Sequence, residues 1–318
     1  MTKAENPKQT VAVIGAGTMG HGVAQVFAVA GFPVRLYDSV PEALASALKR
    51  VRENLAAFLE AGLIKEDQIP ACLDHISLYD NLEQACRGAD LVIEAAPENL
   101  ELKQRLFAEM EGYVSADAIL CTNTSALRIT GIGALLKRPE RLVGAHFWNP
   151  PHVMPCVEVI KGDATDEAVF ESTVELMRAV GKDPVRVRKD IPGFLGNRLQ
   201  HAIQREALAL IEKGVCDPED IDRVVKSGFG LRYAFMGPVE RADIGGLDVT
   251  FSVQKTVLPD LDNRTDPSPL LAEKVARGEL GVKTGKGFYE WPERKAAAMK
   301  QKRDRIFLSI LKLLRENK

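Results

Sequence analysis

Short apolar runs alternate with longer stretches of helical periodicity over the first 190 or so residues of the chain. The runs VAVIG, PVRLYD, LVIEAA, AILCTN, LVGAHFW, CVEVI and PVRVR read as strands. Near-continuous apolar strands are buried on both faces, the mark of a parallel sheet covered by helices. Between them, Pro41 to Ala61 and Leu100 to Tyr113 are amphipathic. Strand and helix in alternation predict the α/β class, here a doubly wound parallel sheet. The stretch from Pro41 to the loop through Pro70 exceeds a minimal crossover and predicts a helical hairpin projecting from the sheet, an excursion that often covers a site.

Beyond Asp190 helical periodicity dominates. Asp217-Pro218 reads as an N-cap followed by proline at the first helical position, and strand-like character returns only in GKGFYEW. A boundary is therefore expected at Asp190-Ile191-Pro192-Gly193, dividing the chain into residues 1–189 and an all-α domain over 190–318. The tail, Arg294 to Lys318, reads as a basic amphipathic helix with Ile306, Ile310, Leu313 and Leu314 on one side. Its modest apolar face suits docking on the protein better than binding a membrane.

The first strand opens into Gly15-Ala16-Gly17-Thr18-Met19-Gly20, and Asp38 closes the second. Strand, glycine turn, helix, strand and terminal acid in that order predict a dinucleotide-binding Rossmann unit. Gly15 allows the tight turn, Gly17 lets backbone approach a pyrophosphate, and Gly20 lets helix and strand pack closely. The following helix, about Thr18 to Ala30, would point its free N–H groups at the phosphates. Asp38 can accept hydrogen bonds from the adenosine ribose. No arginine follows it, so NAD is expected rather than NADP.

The 318 residues carry a net charge of −2, with 46% hydrophobic and 27% charged residues, which fits a globular protein without a nucleic-acid footprint. No apolar run is long enough for a membrane span, and MTKAENPKQT lacks the apolar core of a signal peptide, so a cytoplasmic protein is expected. Cys72, Cys86, Cys121, Cys156 and Cys216 contain no CxxC pair and read as reduced thiols. The five histidines lack the spacing of metal ligands.

Polar residues at strand ends carry the candidate chemistry. In LVGAHFWNPP, His146 stands where an apolar strand gives way to a Pro-Pro turn. In CVEVI, alternation places Glu158 on the same face as Cys156 and Ile160. A strand, a short loop and a returning strand would bring His146 and Glu158 side by side as a dyad, in which the carboxylate fixes the imidazole tautomer. The other reading is a strand-end histidine with an unrelated edge glutamate. Ser125, after the strand AILC, and Asn197, at the opening of the helical half, lie where a cleft should form. His152 follows in the same Pro-flanked loop as a lesser candidate for touching substrate.

The glycine turn, NTSAL, AHFWNPPHVMPCVEVI, GKDPV, PGFLGNRL, MGPVE and KTGKGFYEW, in this order, resemble the 3-hydroxyacyl-CoA dehydrogenase family over nearly the whole chain. The resemblance implies a Rossmann domain with a helical dimerisation domain, a homodimer, and reversible oxidation of a 3-hydroxyl to a 3-keto group by hydride transfer to NAD. By motif it implies His146 as the base, Glu158 as its partner, and Ser125 and Asn197 in the network holding the substrate oxygen. Glu98 and Lys103 in PENLELK, Asn149 and Lys283 match cofactor contacts. A short-chain 3-hydroxyacyl-CoA is the expected substrate.

Two departures bear on substrate. CoA-using members usually read N-P-V-x-x-M-K where this chain reads Asn149-Pro150-Pro151-His152-Val153-Met154-Pro155, and they tend to carry lysines along the excursion helix, whereas Asn54 to Ala61 has none. The N-P-P turn and Arg232 to Pro238 resemble the L-gulonate 3-dehydrogenase and lambda-crystallin branch, whose members act on free hydroxy acids. A dehydrogenase of a free hydroxy acid or small alcohol is thus the alternative. A non-catalytic dinucleotide-binding sensor or structural protein is a third, against which the intact His146, Glu158, Ser125 and Asn197 set argues.

Overall fold

A computed structural model describes residues 9–316. Its sheet has eight strands: β1 (Val11–Ile14), β2 (Val34–Tyr37), β3 (Ile76–Tyr79), β4 (Leu91–Glu94), β5 (Ile119–Thr122), β6 (Leu142–Phe147), β7 (Cys156–Ile160) and β8 (Asp183–Val187). The order is β3-β2-β1-β4-β5-β6-β7-β8, and every neighbouring pair is parallel except β6 with β7. Helices flank it: α1 (Gly20–Val29), α2 (Pro41–Ala45), α3 (Ala47–Glu60), α4 (Gln68–Asp74), α5 (Leu82–Cys86), α6 (Leu100–Glu111), α7 (Ile129–Ile132) and α8 (Glu167–Ala179). After the sheet come α9 (Gly196–Glu212), α10 (Pro218–Val224), α11 (Gly230–Tyr233), α12 (Pro238–Gly245), α13 (Leu247–Val257), α14 (Pro269–Ala276) and α15 (Glu293–Glu316).

Alternation along each strand feeds two cores. Val11, Val13, Leu36, Ile93, Val143 and Val157 pack with Phe27 and Phe170 on one side of the sheet. Ala12, Ile14, Val92, Leu120 and Ile160 pack with Phe107, Met110 and Phe194 on the other. Both faces being covered explains why the strands read as unbroken apolar runs. β3 was not among the expected strands; ISLY buries only Ile76 fully and lies at the sheet edge, so its apolar signal is weak.

Two expectations are corrected, the projecting excursion and the apolar side of the tail helix. The excursion does not project: Ala47, Val51 and Leu55 of α3 are fully buried in the core beside Val23 and Phe27 of α1. By compactness the chain forms one unit ending at Asn197 that also takes in the chain from Lys302, and a second unit over Arg198–Gln301. The segment after Asp190 stays with the sheet because Phe194 is buried in its core and the N–H groups of Leu195 and Gly196 bond to β7. The tail helix α15 docks by Leu308 and Leu311, which pack with Phe58 and Val153, while Ile306 and Leu313 are 44% and 49% exposed. The side chain of Leu314 lies outside the described residues. The second unit is helical apart from isolated bridges at Lys286. Among the described residues no helix is long and apolar enough to cross a membrane.

Candidate active site

β1, β4, β5 and β6 run parallel, so their carboxyl ends share one edge of the sheet, where ligands of such folds gather. The glycine turn leaves β1 at this edge. Gly15 has φ +106°, and a Cβ there would stand 2.7 Å from the carbonyl oxygen of Ala95. A Cβ on Gly20 would overlap the carbonyl of Gly15 at 1.6 Å, whereas one on Gly17 would meet nothing within 4 Å. The turn is therefore tight at Gly15 and Gly20 and open at Gly17, as a bound pyrophosphate requires. No backbone N–H of Gly17, exposed Thr18 or half-buried Met19 finds a partner among the described residues. Helix α1 begins at Gly20 rather than Thr18, so these groups lie in the turn that leads into it.

Asp38 sits just past β2. One of its oxygens accepts the Ala16 N–H at 2.6 Å and the other the Val40 N–H at 2.8 Å. Each oxygen keeps a lone pair, enough for the two hydroxyls of a ribose. These features fit NAD.

His146 and Glu158 are register partners on antiparallel β6 and β7, and both side chains point away from Ala145, Phe147, Val157 and Val159. His146 Nδ1 lies 2.8 Å from Glu158 Oε2, with the residues only 5% and 2% exposed. A carboxylate only accepts, so Nδ1 carries the proton and Nε2 is left with its lone pair in the neutral ring. The other carboxylate oxygen accepts the N–H groups of Leu195 at 2.9 Å and Gly196 at 3.0 Å. Burial by itself would raise the Glu158 carboxyl; the bonds from His146, Gly196 and Leu195 outweigh it and hold the group below the usual carboxylate range. The rings of Trp148 and Phe194 flank the imidazole, with centroids at 5.5 and 5.8 Å.

Ser125 and Asn197 also meet: Asn197 Nδ2 donates to the Ser125 carbonyl at 2.7 Å. Ser125 is exposed, and its hydroxyl has no partner among the described residues. Glu98 holds this loop, one oxygen accepting the Thr124 hydroxyl at 2.6 Å and the N–H groups of Ser125 and Ala126 at 3.0 and 3.1 Å. Burial opposes its ionisation, but the Thr124 hydroxyl, Lys103 and these N–H groups bring its pKa below normal. Lys103 is 1% exposed and faces inward, bonding Glu94 at 2.5 Å and the Ala96 carbonyl at 3.2 Å, with Glu98 at 3.6 Å. Asn149 is exposed beyond β6. Its loop is tied down by Lys182, which donates to the carbonyls of Pro151 and Met154 at 2.6 and 2.9 Å. Lys283 is exposed in the second unit, in the turn closed by the Gly281–Lys286 bridge.

The sequence reading missed several residues. Glu94 accepts bonds from Lys103, Thr122 and the Ala96 N–H, and Asn123 receives the Phe147 N–H at 2.8 Å. An acid ending the apolar run LVIE was the available signal, because a buried carboxylate demands partners. His152 is packed against the Phe58 ring and Asn54, and burial lowers its pKa to about 3.

Residues 10–191 match the family model for the 3-hydroxyacyl-CoA dehydrogenase NAD binding domain, and residues 193–291 that for its C-terminal domain. The 5-formyl-3-hydroxy-2-methylpyridine 4-carboxylate 5-dehydrogenase of Mesorhizobium japonicum is 37% identical over 96% of this chain and 98% of its own. A Bacillus subtilis protein named as a probable 3-hydroxybutyryl-CoA dehydrogenase is 41% identical over 89% of this chain and 98% of its own. A crystal structure of the pyridine-carboxylate enzyme, an NAD+-dependent dismutase, superposes with a TM-score of 0.91 at 36% identity, covering 97% of this chain and 99% of that one. The (S)-3-hydroxybutyryl-CoA dehydrogenase of Ralstonia eutropha gives 0.75 at 34% identity, covering 90% and 100%. The chain belongs to the 3-hydroxyacyl-CoA dehydrogenase family and is an NAD-dependent oxidoreductase acting on a CH–OH group.

Proposed function

We propose that this protein oxidises the hydroxyl of a small free carboxylic acid, with His146 as general base, Glu158 as the group that orients it, and Ser125 and Asn197 around the substrate oxygen. NAD, when bound, accepts the hydride. His146 takes the hydroxyl proton on Nε2, and Glu158 offsets the positive charge the ring then carries. Glu98 and Lys103 shape the loop at Ser125, and Asn149 completes the cofactor's surroundings within the sheet unit.

The observation that carries the choice of substrate is the tail. Phe58, on the excursion helix along which CoA-using members tend to carry lysines, is covered by Leu308 and Leu311 of α15. The share of this chain matched by the pyridine-carboxylate enzyme is 96%, against 89% for the hydroxybutyryl-CoA relative, and the fold agreement is closer in the same direction. Reversible oxidation of a short-chain 3-hydroxyacyl-CoA is the second reading, favoured by the 41% identity to the hydroxybutyryl-CoA relative.

A homodimer through the helical half fits the apolar side chains left open there, among them Val239 and Ile244, each 74% exposed, and Phe251, 62% exposed. Initial rates of NAD reduction with L-3-hydroxybutyryl-CoA, free L-3-hydroxybutyrate, L-gulonate and a hydroxymethylpyridine carboxylate decide the substrate. Turnover confined to free acids is expected; faster turnover of the CoA ester would reverse the choice.

A further inference from the structure

The first turn of α3 holds the half-buried Arg50. It reaches back to the glycine turn: Nη2 donates to the carbonyl of Ala16 at 2.6 Å and to that of Ala43 at 2.9 Å, and Nη1 donates to the carbonyl of Gly17 at 3.1 Å. His21 Nδ1 donates to the same Gly17 oxygen at 2.7 Å, from the helix side. Burial and the neighbouring Arg50 charge lower the pKa of His21, so the guanidinium is the permanent cation behind the turn.

In a trans peptide the carbonyl and the N–H point in opposite directions. Fixing the Ala16 carbonyl on Arg50 therefore fixes the Gly17 N–H on the far side of the turn. Fixing the Gly17 carbonyl does the same for the Thr18 N–H. These are two of the three successive N–H groups that lack a partner among the described residues, and they stand where Gly17 leaves open space. Unheld, a glycine-rich turn samples many backbone conformations, which would scatter these dipoles.

We propose that Arg50 is a positioning residue for cofactor binding: a clamp on the carbonyl side of the Gly15–Gly20 turn that aims the Gly17 and Thr18 N–H groups at the dinucleotide pyrophosphate. Its positive charge behind the turn adds to the attraction for that dianion. The Asp38 carboxylate, which faces the ribose, is held by backbone N–H groups and not by Arg50, so the two halves of the cofactor site are separable.

The separation supplies the test, which reads binding and not turnover. Adenosine and ADP-ribose are titrated by calorimetry and NMR into the wild type, Arg50→Met, Arg50→Lys and Arg52→Met, each first checked for folding by circular dichroism. Arg52 is exposed on the same helix and serves as the charge control. Arg50→Met is expected to weaken ADP-ribose by roughly 10- to 100-fold, the loss of charge-assisted hydrogen bonds to the turn, while adenosine binds as before. Arg50→Lys keeps the charge but cannot span three carbonyls, and it is expected to fall between. Equal losses for adenosine and ADP-ribose, an Arg52→Met as weak as Arg50→Met, or an Arg50→Lys equal to the wild type would each overturn the clamp.

Discussion

Replacing Glu158 by glutamine changes the proton arrangement of the site while sparing its shape. In the wild type Oε1 takes the Leu195 and Gly196 N–H groups and Oε2 takes His146 Nδ1. The amide has one acceptor and one donor. Its oxygen must stay with the two backbone N–H groups, because the opposite orientation would set the amide NH2 against both. The NH2 then faces His146, so Nδ1 has to become the acceptor and the ring proton moves to Nε2. A neutral ring in that tautomer has no lone pair for the substrate proton. General-base assistance is worth about 10²- to 10⁴-fold, and the equivalent carboxylate-to-amide change in a serine-protease triad costs about 10⁴-fold. A fall in kcat of about 10³-fold, or roughly 4 kcal/mol of barrier, is expected for Glu158→Gln. Folding should suffer by only about 1 kcal/mol, since the two backbone bonds persist. Glu158→Ala removes the acceptor of both N–H groups and the partner of His146 together, and should lose activity along with about 1–3 kcal/mol of stability. Single-turnover NADH absorbance gives the rate, urea unfolding the stability, and long-range 15N–1H spectra the tautomer. A glutamine variant within tenfold of the wild-type rate, or one still protonated on Nδ1, would refute the reasoning.

Three further outcomes are expected. Asp38 would face the 2'-phosphate of NADP, so kcat/KM should favour NAD by at least about tenfold, from like charges at contact distance; parity between the cofactors would refute this. His152, with its pKa lowered to about 3 by burial, stays neutral in the fold while the unfolded chain takes up a proton below about pH 6.5. Stability should thus fall as pH drops, by about 2 kcal/mol between pH 7 and 5. His152→Gln should flatten this slope in urea titrations, and an unchanged slope would remove His152 as its source. Ile244→Asp places a charge on the open apolar face of the helical half and should shift a dimer to monomer in light scattering; a wild type already monomeric would end the dimer proposal.

What the sequence determined by itself is what rests on local periodicity and short spacing. The strands buried on both faces and the glycine turn with Asp38 are legible, because a period of two assigns each strand residue to a face; for His146 and Glu158 the spacing left two readings open, and the antiparallel register of β6 and β7 brings the two side chains together. The edge strand Ile76–Tyr79 escaped because a half-covered strand carries little apolar signal. Tertiary structure alone decided which long polar side chains turn inward. Lys103 and Arg50 look like surface cations in an amphipathic helix, yet one is buried on Glu94 and the other is wrapped by the carbonyls of the glycine turn. The tail helix shows the same limit: its periodicity predicts a helix with an apolar side, but the complementary surface at Phe58 and Val153 selects Leu308 and Leu311 over Ile306 and Leu313. Hydrophobic burial is non-directional, so which face of a helix is covered depends on the surface it meets.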